Sequence, residues 1–155
     1  MANPRSLPGH AALPVPRSPV LLLPILLLVA GLLAAAPARA QDAEAIRAVI
    51  GQQLDAFRRD DGGAAFSYAS PGIQARFGNA ATFMEMVRAG YPAVYRPLEV
   101  EFRKLSLEDG KAVQEVYFVG ADGKAALALY LMERQPDGSW RINGVRMVAL
   151  PETIS

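Results

Sequence analysis

The sequence predicts an α+β domain, with N-terminal helices packed on a curved antiparallel sheet of about four strands. Two patterns predict this. From Gln41 to Pro97 apolar residues recur with the period of a helix. From Leu98 to Val148 four strand-like runs follow one another, separated by Asp-Gly turns. A third pattern, at the front, sets where this domain begins.

Residues 1–40 have the order of a secretory signal peptide. Arg5 and Arg17 form a basic start, Val20 to Ala36 is an apolar run of 17 residues, and Ala38-Arg39-Ala40 supplies an A-x-A cleavage site. The expected organisation is a leader over 1–40 and a single domain over 41–155, exported to the periplasm or secreted. The alternative is an uncleaved N-terminal membrane anchor, since 17 apolar residues reach the lower limit for crossing a bilayer. Pro24 and the alanine-rich end of the run weigh against it.

Asp42 is placed to cap the first helix, and Ile46, Val49, Ile50, Leu54 and Phe57 form its apolar stripe. Asp60-Asp61-Gly62-Gly63 stops it. Gly63 to Ala69 reads as a short second helix carrying Phe66 and Tyr68, broken by Ser70-Pro71-Gly72. Ile73 to Phe77 reads as a helical turn or an irregular piece. Asn79 caps a helix over Ala80 to Ala89, whose buried stripe is Phe83, Met86 and Val87, and Gly90 ends it. Tyr91 to Pro97, bounded by prolines, is expected to be extended.

In the sheet half, Leu98, Val100 and Phe102 alternate with charged residues. A turn at Glu108-Asp109-Gly110-Lys111 leads to the second strand, Ala112 to Val119. Its Val113, Glu115, Tyr117 and Val119 share one face, expected to be the inner one. Ala121-Asp122-Gly123-Lys124 is a hairpin signal of the two-residue Asp-Gly kind. Ala125 to Glu133 is apolar on both faces and so is placed centrally. Pro136-Asp137-Gly138-Ser139 leads to the last strand, with Trp140, Ile142, Gly144 and Arg146 on one face and a bend or bulge at Gly144.

Composition narrows the chemistry. The chain has 155 residues, 52% hydrophobic, with no cysteine and one histidine, His10, inside the leader. Disulfides, thiolate metal sites and cysteine nucleophiles are excluded for this sequence. Beyond residue 40 there is no histidine for a triad or a metal site. Sixteen basic residues less the three leader arginines leave 13 against 15 acidic ones, a net charge of −2. That removes the electrostatic motive for a nucleic-acid partner. No cofactor is expected.

The order of elements, the -ADGK- and -PDGSW- turns and the ending GSWRINGV resemble the nuclear transport factor 2-like, cystatin-like superfamily. The segments IRAVIGQQLDAFRRDD, FMEMVRAGYPAVYRP and YLMERQPDGSWRINGV look like the exported bacterial group named domain of unknown function 4864. The resemblance implies a cone whose mouth can hold a small ligand. It implies no activity, because no acid of this chain aligns with the catalytic base of the superfamily's isomerases.

The function expected is therefore a non-catalytic binding or interaction module, taking an unidentified small molecule or protein. Touching the membrane only through an uncleaved leader, it could form a homodimer. The alternatives are a ketosteroid isomerase-like enzyme with an acid/tyrosine pair, and a scaffold subunit docking a protein through its sheet. For the enzyme, Glu115 beside Tyr117, or Asp55 on the first helix, would be the base. Tyr68, Tyr95, Tyr117 and Tyr130 offer hydroxyls to orient a ligand. Each has a plainer role: a paired or solvated carboxylate for the acids, core packing for the tyrosines. Export is checked by the mass of the protein recovered outside the cytoplasm: a chain starting at Gln41 is expected, and an intact leader would establish the anchor instead.

Overall fold

A computed structural model describes the backbone of residues 23–150 and the side chains of 38–150, in both cases without residue 109. The leader expected at 1–40 therefore falls largely outside the described residues. Ala38–Ser155 forms one compact unit. Its elements are α1 (Leu23–Arg58), α2 (Gly62–Ser67), α3 (Pro71–Phe77), α4 (Ala80–Gly90), α5 (Pro92–Tyr95), β1 (Glu99–Glu108), β2 (Lys111–Val119), β3 (Ala125–Arg134) and β4 (Trp140–Val148). The sheet is an antiparallel meander in the order β1-β2-β3-β4. This is the α+β architecture that the sequence predicts.

The helices differ from expectation where side-chain caps decide their ends. Helical backbone runs through Asp42 instead of starting there. Its carboxylate accepts from Trp140 Nε1 at 3.1 Å and lies 3.7 Å from Arg134, tying α1 to β4 and to the end of β3. Ser70-Pro71 begins a helix: Ser70 is the N-cap of α3, accepting from the Ile73 amide, and Pro71 takes the first helical turn, where its missing N–H costs nothing. Pro92 does the same for α5, so Tyr91 to Pro97 contains a helical turn where extended chain was expected. Asn79 caps α4 as expected.

Inside and outside are set in β2. Ala112, Gln114, Val116 and Phe118 are buried, while Val113, Glu115, Tyr117 and Val119 are half-exposed. The expected inner face is thus the outer one. On β3 the inner residues are Ala128, Tyr130 and Met132. They meet Ile46, Ile50, Leu54 and Phe57 of α1 with Phe83, Met84 and Val87 of α4 in one core. Each such large side chain contributes about 1.5–3 kcal/mol by leaving water.

Both edge strands carry a bulge. In β1, Phe102 faces Val116 and Leu105 faces Gln114, so Arg103 and Lys104 together oppose one residue of β2. Side chains on opposite sides of the bulge then point the same way, and Val100, Phe102, Leu105 and Leu107 all pack on the core. In β4, Leu131 faces Gly144 and Met132 faces Ile142, which makes Asn143 the extra residue. The bend expected near Gly144 is there. It also changes the face: Val145 and Met147 join Trp140 and Ile142 inside, and Arg146 turns outward. Leu98, expected as the first inward strand residue, precedes β1 and is 67% exposed.

The turns also differ from the two-residue kind. Gly123 N–H bonds Gly120 O and Gly120 N–H bonds Lys124 O, and Gly123 sits at φ 76°. The Gln135–Ser139 turn repeats this, with Gly138 at φ 85°. Only glycine has a left-handed backbone in these two turns, which are three-residue loops ending in a glycine bulge. Asp122 and Asp137 accept from the amides two residues on, Lys124 and Ser139.

Gln114 is wholly buried and donates its amide to the carbonyls of Arg103 (3.0 Å), Lys104 (3.3 Å) and Glu115 (2.8 Å). It thereby satisfies backbone that the β1 bulge takes out of the ladder. Its Oε1 and the hydroxyl of Tyr130, its cross-strand partner, are buried without a hydrogen bond among the described residues. Burial pushes the Tyr130 phenol well above its ordinary range. The folded chain therefore keeps this proton when the unfolded chain loses it, near pH ~10, so stability falls as pH rises past that point. Tyr130→Phe removes the unpaired hydroxyl and keeps the ring. It is expected to gain ~1 kcal/mol in denaturant unfolding and to flatten the alkaline decline in Tm; a loss of stability would show that the hydroxyl has a partner.

Candidate functional site

Ala69 follows α2, and its backbone runs beside β4. Ser70 N–H donates to Ile142 O at 2.8 Å, and Ile142 N–H donates to Tyr68 O at 2.9 Å. This contact sets α3 against the β4 bulge. The Ser70 hydroxyl, wholly buried, donates to Asn143 Oδ1 at 2.7 Å while accepting from Ile73 N–H. One side chain thus caps a helix and pins the residue that the bulge pushes out.

Between α1, the short helices and that bulge lies a cavity of about 340 Å³. This is at the small end of the range for ligand pockets, ~300–1,000 Å³. Phe57 of α1, Phe77 of α3, and Phe83, Met86 and Val87 of α4 line it, with Ile142 to Val145 of β4 as its floor. Phe83 holds the aromatic wall together: Phe66 lies 5.3 Å from it, Phe77 5.8 Å in an edge-on pose, and Phe57 6.3 Å. Such contacts fix ring orientations as well as bury area.

Few polar groups reach this space. Gln53 is 3% exposed and donates Nε2 to Ala65 O at 3.0 Å, leaving its carbonyl oxygen with no partner among the described residues. Tyr91 lines the cavity too, and its hydroxyl donates to Val145 O at 3.0 Å. Asn143 and Arg76 complete the set. Among the described residues no Asp, Glu or His belongs to the lining. Arg76 is its single charge among the described residues, and its guanidinium carbon lies 5.8 Å from the Phe77 ring centre. The arrangement can hold an apolar molecule and orient it by hydrogen bonds; it offers no group of its own to take up a proton at neutral pH.

The residues singled out from the sequence lie elsewhere. Glu115 and Tyr117 are neighbours on the outer face of β2, which corrects their expected orientation into the cone. The Arg103 guanidinium sits 4.3 Å over the Tyr117 ring and 3.5 Å from Glu101. Asp55 is exposed on α1 and paired with Arg58 at 2.6 Å. Tyr130 is enclosed in the core, apart from the cavity lining, and Tyr68 spends its carbonyl on β4. Tyr95 does meet an acid: its hydroxyl bonds Asp60, which also pairs with Arg88 (3.3 Å) and Arg96. This cluster is on the surface, and it ties the end of α1 to α4 and α5.

The cavity residues were legible in the sequence only as apolar stripes. Phe57, Phe83, Met86 and Val87 carry a core signal, and a stripe that lines a cavity is spaced like one that fills a core. The one available pointer was Gly144 beside Asn143, a glycine inside a strand, which marks a bulge and so a place where side chains are re-aimed.

The pattern of the family described as Domain of unknown function (DUF4864) matches residues 39–154. No curated protein matches the chain. Among solved structures it is similar to an NTF-2 like protein of unknown function from Burkholderia xenovorans LB400. Identity is 17% and the TM-score 0.44, over 71% of this chain and 90% of that one.

Proposed function

We propose that this chain, which belongs to the DUF4864 family, is a non-catalytic module that binds a small apolar molecule in the cavity between its helices and β4. The observation that carries the proposal is the composition of the lining: apolar side chains and aromatic rings, a few hydrogen-bonding groups, and neither a carboxylate nor an imidazole. An isomerase needs a base in contact with its substrate. Asp55 is at the surface with an arginine, and Glu115 is on the far side of the sheet.

The order of residues 1–40 supports export to the periplasm or beyond as the setting of this binding. Among residues 38–150 no helical segment is long and apolar enough to cross a membrane.

A fluorescent apolar probe tests the cavity. The emission of 1-aminoanthracene is expected to rise and shift to the blue on titration with the protein. Met86→Trp places a larger ring in the cavity from a half-exposed helix position, and is expected to weaken probe binding at least roughly tenfold, the scale of losing a buried contact, with Tm close to the parent's. A protein that never binds the probe, or a folded Met86→Trp variant that binds it unchanged, would rule the cavity out.

A second reading rests on the outer face of the sheet, which no helix of residues 38–150 covers. Leu127, Leu129 and Leu131 of β3 lie there with Val113, Tyr117 and Val119 of β2. Leu129 pairs with Glu115 on one side and Arg146 on the other. Neither charge has an ion-pair partner among the described residues. An acid, a leucine and a base in one line form a self-complementary pattern. A two-fold axis along β3 sets the Glu115 of one copy over the Arg146 of the other. The occupant of this face is thus a second copy of the chain. Sedimentation is expected to show a dimer that Leu129→Glu converts to a folded monomer; a parent that stays monomeric as its concentration is raised would dismiss the dimer.

A further inference from the structure

The cavity has a polarity that narrows its ligand. Gly72 and Arg76 are one turn apart on α3 and share a face of that helix. A Cβ on Gly72 would stand 4.0 Å from Asn143 Oδ1. Arg76 and Asn143, both lining the cavity, therefore belong to the same wall, where α3 meets the β4 bulge. Asn143 Oδ1 is occupied by the Ser70 hydroxyl, which fixes the side-chain amide and leaves its Nδ2 as a donor. Arg76 is exposed and makes no ion pair among the described residues. No acid of the lining competes for it. The result is a wall with two donor groups, one of them charged, next to a largely apolar one formed by Phe57, Phe83 and Met86, where the Gln53 carbonyl oxygen is an acceptor with no partner among the described residues.

We infer that the ligand is an amphipathic carboxylate: an apolar body against the phenylalanines and Met86, and a carboxylate held by the Arg76 guanidinium and Asn143 Nδ2. This rests on the cavity being the binding site, and it adds the class of molecule. Guanidinium matches a carboxylate with two parallel donors, which a hydroxyl or an ester cannot use. The seat lies where an enclosed apolar space opens beside an exposed cation, so the charged head stays near water while the body leaves it.

Decanoate and decanol differ in head group alone and separate the inference from the reading beneath it. Each is titrated against the protein preloaded with 1-aminoanthracene, in low and high salt. Decanoate is expected to displace the probe at a concentration at least roughly tenfold lower than decanol, the size of one charge-assisted hydrogen bond. The gap should narrow in high salt. In Arg76→Gln, an exposed change, decanol binding should hold and the preference for decanoate should vanish. Equal displacement by the two, or decanoate failing to displace, would overturn the inference while leaving an apolar cavity. A preference that survives Arg76→Gln would place the anion elsewhere and overturn it equally. Failure of the probe itself to bind would remove the cavity, and the inference with it.

Discussion

One extra residue in each edge strand governs how this sheet faces its helices. A strand has a period of two, so a slip of one residue turns every following side chain to the other face. Arg103-Lys104 in β1 and Asn143 in β4 make such slips within a strand. Without them Leu105 and Leu107, and Val145 and Met147, would face water. With them each edge strand offers four apolar side chains to the core. The backbone that a bulge frees from the ladder must be satisfied elsewhere. In β1 the amide of Gln114 does this from within the core. In β4 the segment after α2 does it, through Ser70 N–H on Ile142 O and Ile142 N–H on Tyr68 O.

The same device makes the cavity. Pushing Asn143 out of the ladder turns Val145 inward and gives α3 a fixed point of attachment, and the space between is what α1 and α4 do not fill. Charge is distributed to suit. Three carboxylates on or next to α1 are engaged: Asp55 with Arg58, Asp60 with Arg88, Arg96 and Tyr95, and Asp42 with Trp140 and Arg134. Exposed pairs of this kind contribute little each, about 0–1 kcal/mol. Their larger effect is placement, since α5 has four residues and could not hold its position by its own hydrogen bonds.

Much of this architecture was legible in residue order. The stripe from Ile46 to Phe57, the Asn79 cap and the three Asp-Gly turns specify helices, then a meander, because helix and strand periods and turn chemistry are local properties. The face of β2 was not. Its two faces are Val113, Glu115, Tyr117, Val119 and Ala112, Gln114, Val116, Phe118. Each has apolar residues and one polar group, so alternation separates the faces without saying which is inside. The polar group that went in is the one whose amide the β1 bulge requires, and that bulge is a property of the pair of strands.

The sequence by itself determined the fold class, the number and order of the strands, and, through its lack of cysteine and its single histidine at position 10, which chemistries residues 41–155 do without. Those follow from composition and from contacts a few residues apart. Tertiary structure alone decided which tyrosines and acids share a space. It took Glu115, Tyr117 and Asp55 away from the helix–sheet cavity and brought Gln53, Arg76, Tyr91 and Asn143 to it. These four come from separate segments of the chain. Their meeting depends on a strand bulge and a helix cap closing on each other across 73 residues of chain, and no local pattern records such a contact.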